Sequence, residues 1–368
     1  MEKVNLGIDL GMAYSCMSYV DDKGVIRIID NLEGNTTTPS IVFFYPDLDY
    51  CSVGEDARKD GLIYPELLCE RVKEHMSDPD YRFSVNGTEF SAAAISSIIL
   101  NKLIKDAEFA FGEEKKIGSV VITMPSYYGC YARAAINEAS EGVTLQNGEK
   151  LKVAWFAIEP IAATIAYSWE KAIDKPQTVL VYDLGATFDC SVVRIDSDTY
   201  RIVTANGNRY LGGKDWDAAL EELFRDKFCQ ATGADPDAMR EDPEYKKWCS
   251  QNIERAKKAF AFRKSIYLAP SFDGMKERIE ITLEEFEDVT AGLLNETIML
   301  VNDMLEKKGM SMADIDGIVL SGGATKMSQV SKRLQAEYGK PLYFNEPDKI
   351  VARGAALIAA NLVKEYRK

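Results

Sequence analysis

The sequence predicts an α/β protein built from two lobes of the same topology, and a long-range repeat, a second matched pair of segments and the chain length all point to it. Residues 4–20 read VNLGIDLGMAYSCMSYV and residues 178–195 read TVLVYDLGATFDCSVVRI, each an apolar strand, a turn at Asp-Leu-Gly and a second apolar strand. Asp9 and Asp183 head the two turns, Gly11 matches Gly185, and Cys16 matches Cys190. The second pair is SVVITMPS at 119–126 and DGIVLSGGAT at 316–325, short apolar runs that end in Pro or Gly loops and lead into helical text. A chain of 368 residues is too long for one ordinary core and suits two domains.

Helices follow from periodicity and end signals. The run at 91–111 is closed by Gly112 and the run at 328–338 by Gly339, each glycine standing where a helix turns left-handed to stop. The stretch 215–263 is largely helical, with a loop expected around Asp235-Pro236 and Pro243. Glu159-Pro160 opens the helical IAATIAYSWEKA, and proline suits the first helical position because its missing N–H is not needed there. Glu159 then sits at the positive end of the helix dipole, which favours the ionised carboxylate and fits an acceptor that orients a water. No Gly/Ser linker separates the halves, so a compact hinge is expected.

Composition removes several function classes. The net charge of −14 argues against a nucleic-acid surface, which needs Lys and Arg to neutralise phosphates. No apolar run approaches the ~20 residues of a membrane span, and a cytoplasmic monomer is expected. The seven cysteines are odd in number and lack any C-x-x-C spacing, so reduced packing cysteines are expected. His75 is the only histidine, which leaves a histidine metal site or a Ser-His-Asp triad without support; it reads as a surface or packing residue.

Two tight turns facing one another across a cleft would bring backbone amides and one carboxylate each to a shared centre, a geometry that suits a chelated nucleotide phosphate. Gly11 and Gly185 permit close backbone approach, while Asp9 and Asp183 can hold a hydrated Mg ion, which prefers oxygen ligands and keeps several waters. One Asp-Leu-Gly is ordinary turn chemistry; two matched copies favour the site. Gly212-Gly213 and Gly322-Gly323 precede helical stretches whose N-termini can take an anion. The chain lacks G-x-x-x-x-G-K-[ST], so no P-loop is expected.

Taken in order, GIDLGMAYSC, GNTTTPSIVFF, VITMPSYY, IEPIAATIAY, VYDLGATFDCSV, LGGKDWD, ERAKKAF, IVLSGGATK and EPDKIVARGAALIAA run nearly end to end. Together they resemble the nucleotide-binding domain of the DnaK-type heat-shock chaperones, within the actin-like ATPase superfamily. The resemblance implies two ribonuclease-H-like lobes around a nucleotide cleft. Lobe I covers 1–172, rejoined by 343–368, with an insert at about 40–115; lobe II covers 173–342, with a helical insert at about 215–290. It implies Mg-dependent ATP binding and hydrolysis, with nucleotide state controlling lobe closure. Asp9 and Asp183 would position Mg through water, Lys73 would reach the γ-phosphate and the attacking water, and Glu159 would support them. Thr187 resembles a threonine that touches the γ-phosphate. Gly11, Met12, Ala13, Tyr14, Gly185 and Ala186 form the phosphate turns, with Gly212 and Gly213 beside them. Glu254, Lys257 and Lys258 resemble the helix that grips ribose and adenine, and Gly322, Gly323, Ala324, Lys326 and Asp348 the remaining wall of that pocket. A co-chaperone or nucleotide-exchange partner, and a C-terminal region absent from this chain, are implied as partners.

The sequence also departs from that family. Met12 and Ala13 replace two threonines, and DLGATFD is one residue shorter than the usual second turn, with Ala186 in place of glycine. Displacing a transition-state donor costs roughly 10²–10³ in rate in well-studied sites, so slow hydrolysis, or a nucleotide-binding switch without hydrolysis, is the alternative expectation. Lys258 stands where an arginine commonly stacks on the base, and arginine is the better stacking group. Gly129-Cys130 and Trp155 alter the surface on which family members engage co-chaperones. A small-molecule kinase and a filament-forming relative share the superfamily fold; the first needs an acceptor pocket that the sequence does not place, and the ERAKK segment disfavours the second.

Overall fold

A computed structural model describes residues 2–196 and 199–361. The first hairpin pairs strand Glu2–Asp9 with strand Tyr14–Val20, in a register that sets Asp9 opposite Cys16. Glu2–Asp9 is also parallel to Lys115–Met124, so it lies in the sheet interior, and Val4, Leu6 and Ile8 are buried. A strand covered on both faces reads as a near-continuous apolar run, which is why this one stands out in the sequence. Val153–Ile158 adds in parallel beyond Lys115–Met124, and Ile26–Ile29 antiparallel beyond Tyr14–Val20.

The second sheet repeats this order. In the first it runs Ile26–Ile29, Tyr14–Val20, Glu2–Asp9, Lys115–Met124, Val153–Ile158; in the second, Thr199–Asn208, Phe188–Asp196, Gln177–Leu184, Gly317–Ser321, Leu342–Tyr343. Numbered along the chain, both are third, second, first, fourth, fifth. Helices recur in matching places: Ala92–Phe111 and Leu283–Lys307 before the fourth strand, Cys130–Glu141 and Ser328–Tyr338 after it, Glu159–Lys171 and Ile350–Ala359 after the fifth. The duplication read from two hairpins thus extends through the α/β fold. By this matching, Ala92–Phe111 belongs to the repeated unit, although the expected insert at about 40–115 included it.

Local chemistry explains the helix ends. Ser91 Oγ accepts the Ala94 N–H at 3.1 Å, and Gly112 stops that helix at φ 55°. Glu159–Lys171 has Pro160 in its first turn and ends at Ala172 in the left-handed region. Around 235–243 the expected loop is confined to two short breaks, residues 233–235 and residue 242. Asp235 and Asp242 each cap a helix that starts on the following proline, Pro236–Glu241 and Pro243–Ala259, with Asp242 Oδ1 accepting the Tyr245 N–H at 2.7 Å. An aspartate before a proline satisfies the exposed amides that a helix start leaves open, so Asp-Pro here initiates helices.

By compactness the chain divides into two units. One comprises residues to Val181, Ser191–Val203 and the chain from Tyr343 onward; the other comprises Tyr182–Cys190 and Thr204–Leu342. In the first, Ile350–Ala359 lies against the first sheet and against Glu159–Lys171 through small residues. A methyl group on Gly354 would stand 1.8 Å from the Ala162 carbonyl oxygen, and one on Gly7 2.1 Å from the Ala356 nitrogen. Ser18 Oγ donates to the Ala352 carbonyl at 2.7 Å beneath the same helix. Among the described residues no helix is long and apolar enough to cross a membrane.

These contacts set a stability contrast. Gly354→Ala lowers unfolding free energy by at least about 2 kcal/mol because neither backbone can yield. Gly292→Ala, inside Leu283–Lys307 with nothing within 4 Å of the added methyl, raises it by about 0.5–1 kcal/mol. Urea denaturation of the two variants beside the parent measures both.

Candidate active site

In the first unit the chemistry collects where strands end. Asp9 is the last residue of Glu2–Asp9, and Thr123, near the end of the neighbouring Lys115–Met124, donates its hydroxyl to Asp9 Oδ1 at 3.0 Å. Glu159 follows directly on strand Val153–Ile158 as the first residue of its helix. Lys73 lies in a one-turn 3-10 helix, Val72–His75, entered through Arg71 at φ 55°. Its side chain is buried, and Nζ donates to Glu159 Oε1 at 2.6 Å.

Two acids and one ammonium share this poorly hydrated place, and their ionisation follows. Burial, then the Glu159 charge, push the Asp9 carboxyl up to about 6, against the opposing pull of Lys73 and of the Thr123 hydroxyl. For Lys73 burial opposes the charged form, but Glu159 and Asp9 outweigh it and hold the ammonium more firmly protonated than usual. Cys16, facing Asp9 across the hairpin, is buried among carboxylates, and its thiol is held protonated by burial first and by the charges of Asp9 and Asp348 next.

The second unit repeats the acid and its hydroxyl. Asp183 occupies strand Gln177–Leu184 as Asp9 does its own, and Ser321, at the end of Gly317–Ser321, donates Oγ to Asp183 Oδ2 at 2.8 Å. Gly322 follows at φ 84°, and an added methyl there would stand 2.4 Å from the Leu184 carbonyl and 2.6 Å from Asp183 Oδ1. Only glycine fits this position.

The turn Gly185–Thr187 is closed on itself. The Gly185 N–H donates to the Thr187 carbonyl at 3.0 Å, and the Gly185 carbonyl accepts the Gly213 N–H at 2.9 Å. Thr187 Oγ1 donates to Asp189 Oδ2 at 3.1 Å. A methyl on Gly185 would meet only Asp183 Oδ1, at 3.8 Å, whereas one on Gly11 would strike the Tyr14 carbonyl at 2.0 Å. Gly11 is therefore demanded by its own turn, and the space beside Gly185 is open. Ala186 packs under Gly212, where a methyl would stand 2.1 Å from the Ala186 carbonyl. Gly212 caps helix Gly213–Thr232, and its N–H donates to Asp215 Oδ2 at 2.7 Å, an acid at the very terminus where a phosphate was expected.

The remaining predicted residues divide between the units. Met12, Ala13 and Tyr14 form the first turn, where the Ala13 carbonyl accepts the Ser40 N–H at 2.9 Å and Tyr14 lies 5.4 Å below the Arg58 guanidinium. Asp348 is in the same unit. In the other, Lys257 is buried and fully engaged: Nζ donates to the Gly213 carbonyl at 2.7 Å and pairs with Asp217 at 2.8 Å. Lys257 thus props the Gly212-Gly213 turn from Pro243–Ala259. Lys258 pairs with Glu254 at 2.8 Å on that helix, its side chain 60% exposed. Gly323, Ala324 and Lys326 form a 3-10 turn, and the Ala324 methyl approaches Gly213. His75 stacks on Tyr81 with ring centroids 3.8 Å apart, a packing role.

Thr123 and Ser321 escaped the sequence reading, although both lie inside the second matched pair, at corresponding places in ITMP and LSGG. Aligning that pair residue by residue would have flagged two hydroxyls in register.

The Hsp70 protein family matches residues 5–79 and 63–367. The chain is 34% identical over 366 residues to the chaperone protein DnaK of Thermotoga neapolitana, covering 97% of this chain and 59% of that protein. It is 33% identical over 369 residues to the chaperone protein DnaK of Halobacterium salinarum, covering 97% of this chain and 55% of that one. The chain thus spans a little over half the length of these relatives.

The raised Asp9 carboxyl makes a stability prediction. Its ordinary value is 3.8, so between about 6 and that value the folded state holds a proton that the unfolded state releases. Its contribution is present below the lower value and lost as pH rises through the upper one, so the nucleotide-free protein gains stability from this group as pH falls from about 6 toward 4. Asp9→Asn removes that dependence and leaves one acid against one ammonium. It raises the thermal midpoint at pH 7 by about 2–4 °C for each kcal/mol recovered. Melting curves of both proteins from pH 4 to 8 check the sign.

Proposed function

The chain belongs to the Hsp70 family, and on that premise we propose that it binds Mg-ATP and hydrolyses it slowly by in-line attack of water. The observation that carries the reading is the buried Lys73–Glu159 pair beside Asp9. Lys73, kept charged by both acids, would donate to a γ-phosphate oxygen while Glu159 would accept from, and so orient, the attacking water. Phosphoryl transfer asks for positioning and charge neutralisation more than for covalent chemistry, and that is what a fixed ammonium and a fixed acceptor supply.

A hydrated magnesium ion fits this donor set. Among the described residues no three His, Cys, Asp or Glu side chains gather as a metal cage, whereas Mg needs only one or two carboxylates when phosphates and waters complete its shell. Asp9 and Asp183, each anchored by one hydroxyl, would hold it through water. Bound there, it would neutralise phosphate charge. The open side of Gly185 leaves room for the phosphate chain, Thr187 would contact the γ-phosphate, and Gly212, Gly213, Gly322, Gly323, Ala324 and Lys326 would border the nucleoside with Glu254 and Lys258. Lys257 acts there indirectly, through the turn it supports.

We take the functional lobes as 1–172 with 343–368, and 173–342. Nucleotide state would govern how they engage, with a C-terminal region and a co-chaperone or exchange partner reading the outcome. A nucleotide switch without hydrolysis is the second reading, favoured by the Gly185 amide already bonded to Thr187 and by the missing hydroxyls at Met12 and Ala13.

Single-turnover hydrolysis of Mg-ATP, with nucleotide affinity measured in parallel, tests this. The parent protein turns over, and Lys73→Ala loses at least about 10² in rate while keeping its ADP affinity. Tight binding without turnover in the parent would move the assignment to the switch, and failure to bind any nucleotide would overturn both.

A further inference from the structure

Lys73 is carried by a short piece of structure. Its segment is one 3-10 turn without a side-chain cap, entered through a left-handed arginine; the Glu74 N–H closes its start on the Arg71 carbonyl at 3.0 Å, while at its end the bond from the Met76 N–H to the Lys73 carbonyl is 3.4 Å long. The same carbonyl accepts a shorter bond, 3.1 Å, from the hydroxyl of Tyr128, 55 residues away in sequence. We propose that Tyr128 is a positioning residue that fixes Lys73 for catalysis by holding its backbone carbonyl.

Packing alone would not require a tyrosine there. The ring is buried in the core of the first unit and stands edge-on to Tyr127 at 5.7 Å, and a phenylalanine would fill that space equally. The hydroxyl adds the bond to Lys73. It also remains a donor, since burial and the nearby Glu159 charge hold the phenol protonated. Tyr128 is itself fixed from the other side: its carbonyl accepts from Arg133 Nε at 2.9 Å, on helix Cys130–Glu141, and its N–H donates to the Pro125 carbonyl at 3.3 Å.

The loop that carries Tyr128 begins where strand Lys115–Met124 ends, and that strand supplies Thr123, the donor to Asp9. One stretch, residues 123–128, therefore holds the acid at one end and the lysine at the other. Glu159 grips the ammonium and Tyr128 the backbone, so the flexible stem of Lys73 is tethered at both ends. Losing the backbone tether leaves the ion pair in place but lets the segment shift, which affects the geometry of attack more than nucleotide binding.

The inference rests on the hydrolysis reading, and Tyr128→Phe is measured in two ways so that the two can fail separately. In nucleotide-free protein, acylation of Lys73 by an amine-reactive ester, followed by mass spectrometry, accelerates by about 3- to 10-fold, the factor that loss of one net hydrogen bond implies. In Mg-ATP turnover, kcat falls by a similar about 3- to 10-fold while KM and ADP affinity hold. Unchanged acylation and unchanged kcat would overturn the proposal, as would a fall in melting temperature and affinity with kcat intact. If the parent protein does not hydrolyse ATP, acylation alone decides, faster labelling supporting the tether and equal labelling refuting it.

Discussion

The site is governed by an imbalance of charge: Asp9 and Glu159, both half-buried, face a single ammonium, that of the buried Lys73. Packing would be served better by apolar side chains, since a buried ion pair rarely repays its desolvation and an extra acid only adds to the cost. The cluster makes sense if the missing positive charge comes from outside the chain. A cation at Asp9 would reverse the push that raises its carboxyl, and phosphates beside Lys73 would take up the bonds that Glu159 alone now provides.

The fold delivers these groups through repetition. Asp9, Thr123 and Glu159 lie at or just past the carboxyl ends of three neighbouring parallel strands, and Asp183 and Ser321 hold the corresponding places in the second sheet. Open α/β sheets bind ligands at that end because the strands stop there and loops and helix N-termini begin. Each copy supplies an aspartate on its first strand and a hydroxyl donor on its fourth. The copies then diverge: the first adds the lysine and the glutamate, and the second adds the glycine turns propped by Lys257.

Much of this was written locally in the sequence. The hairpins, the stop at Gly112, the helix start at Glu159-Pro160 and the two turn aspartates all follow from periodicity and turn chemistry within a few residues. What was not legible is partnership at a distance. Glu159 and Lys73 were each named, but their contact across 86 residues was not. Ser321 meets Asp183 across 138 residues, and no local pattern marks a serine at the end of a buried strand as the donor to an acid on the next. Lys257 read as a nucleotide ligand because it stands in ERAKK, and its bonds to Gly213 and Asp217 were not foreseen, since only the packing of two helices decides them. The breaks expected around Asp235-Pro236 and Pro243 are there, but the capping by Asp235 and Asp242, which starts a new helix directly on each proline, was not read.

The central claim is that the excess negative charge around Asp9 exists to be met by a cation carried with the nucleotide. Calorimetric titration of ATP into the parent protein and into Asp9→Asn, each with magnesium and with chelator, tests it most directly. The account predicts that magnesium tightens ATP binding to the parent by at least about tenfold, or about 1.4 kcal/mol, and that most of this gain disappears in Asp9→Asn. Equal affinity with and without magnesium in the parent would contradict it, and Asp9 would then be a carboxylate that the hairpin tolerates for its own sake.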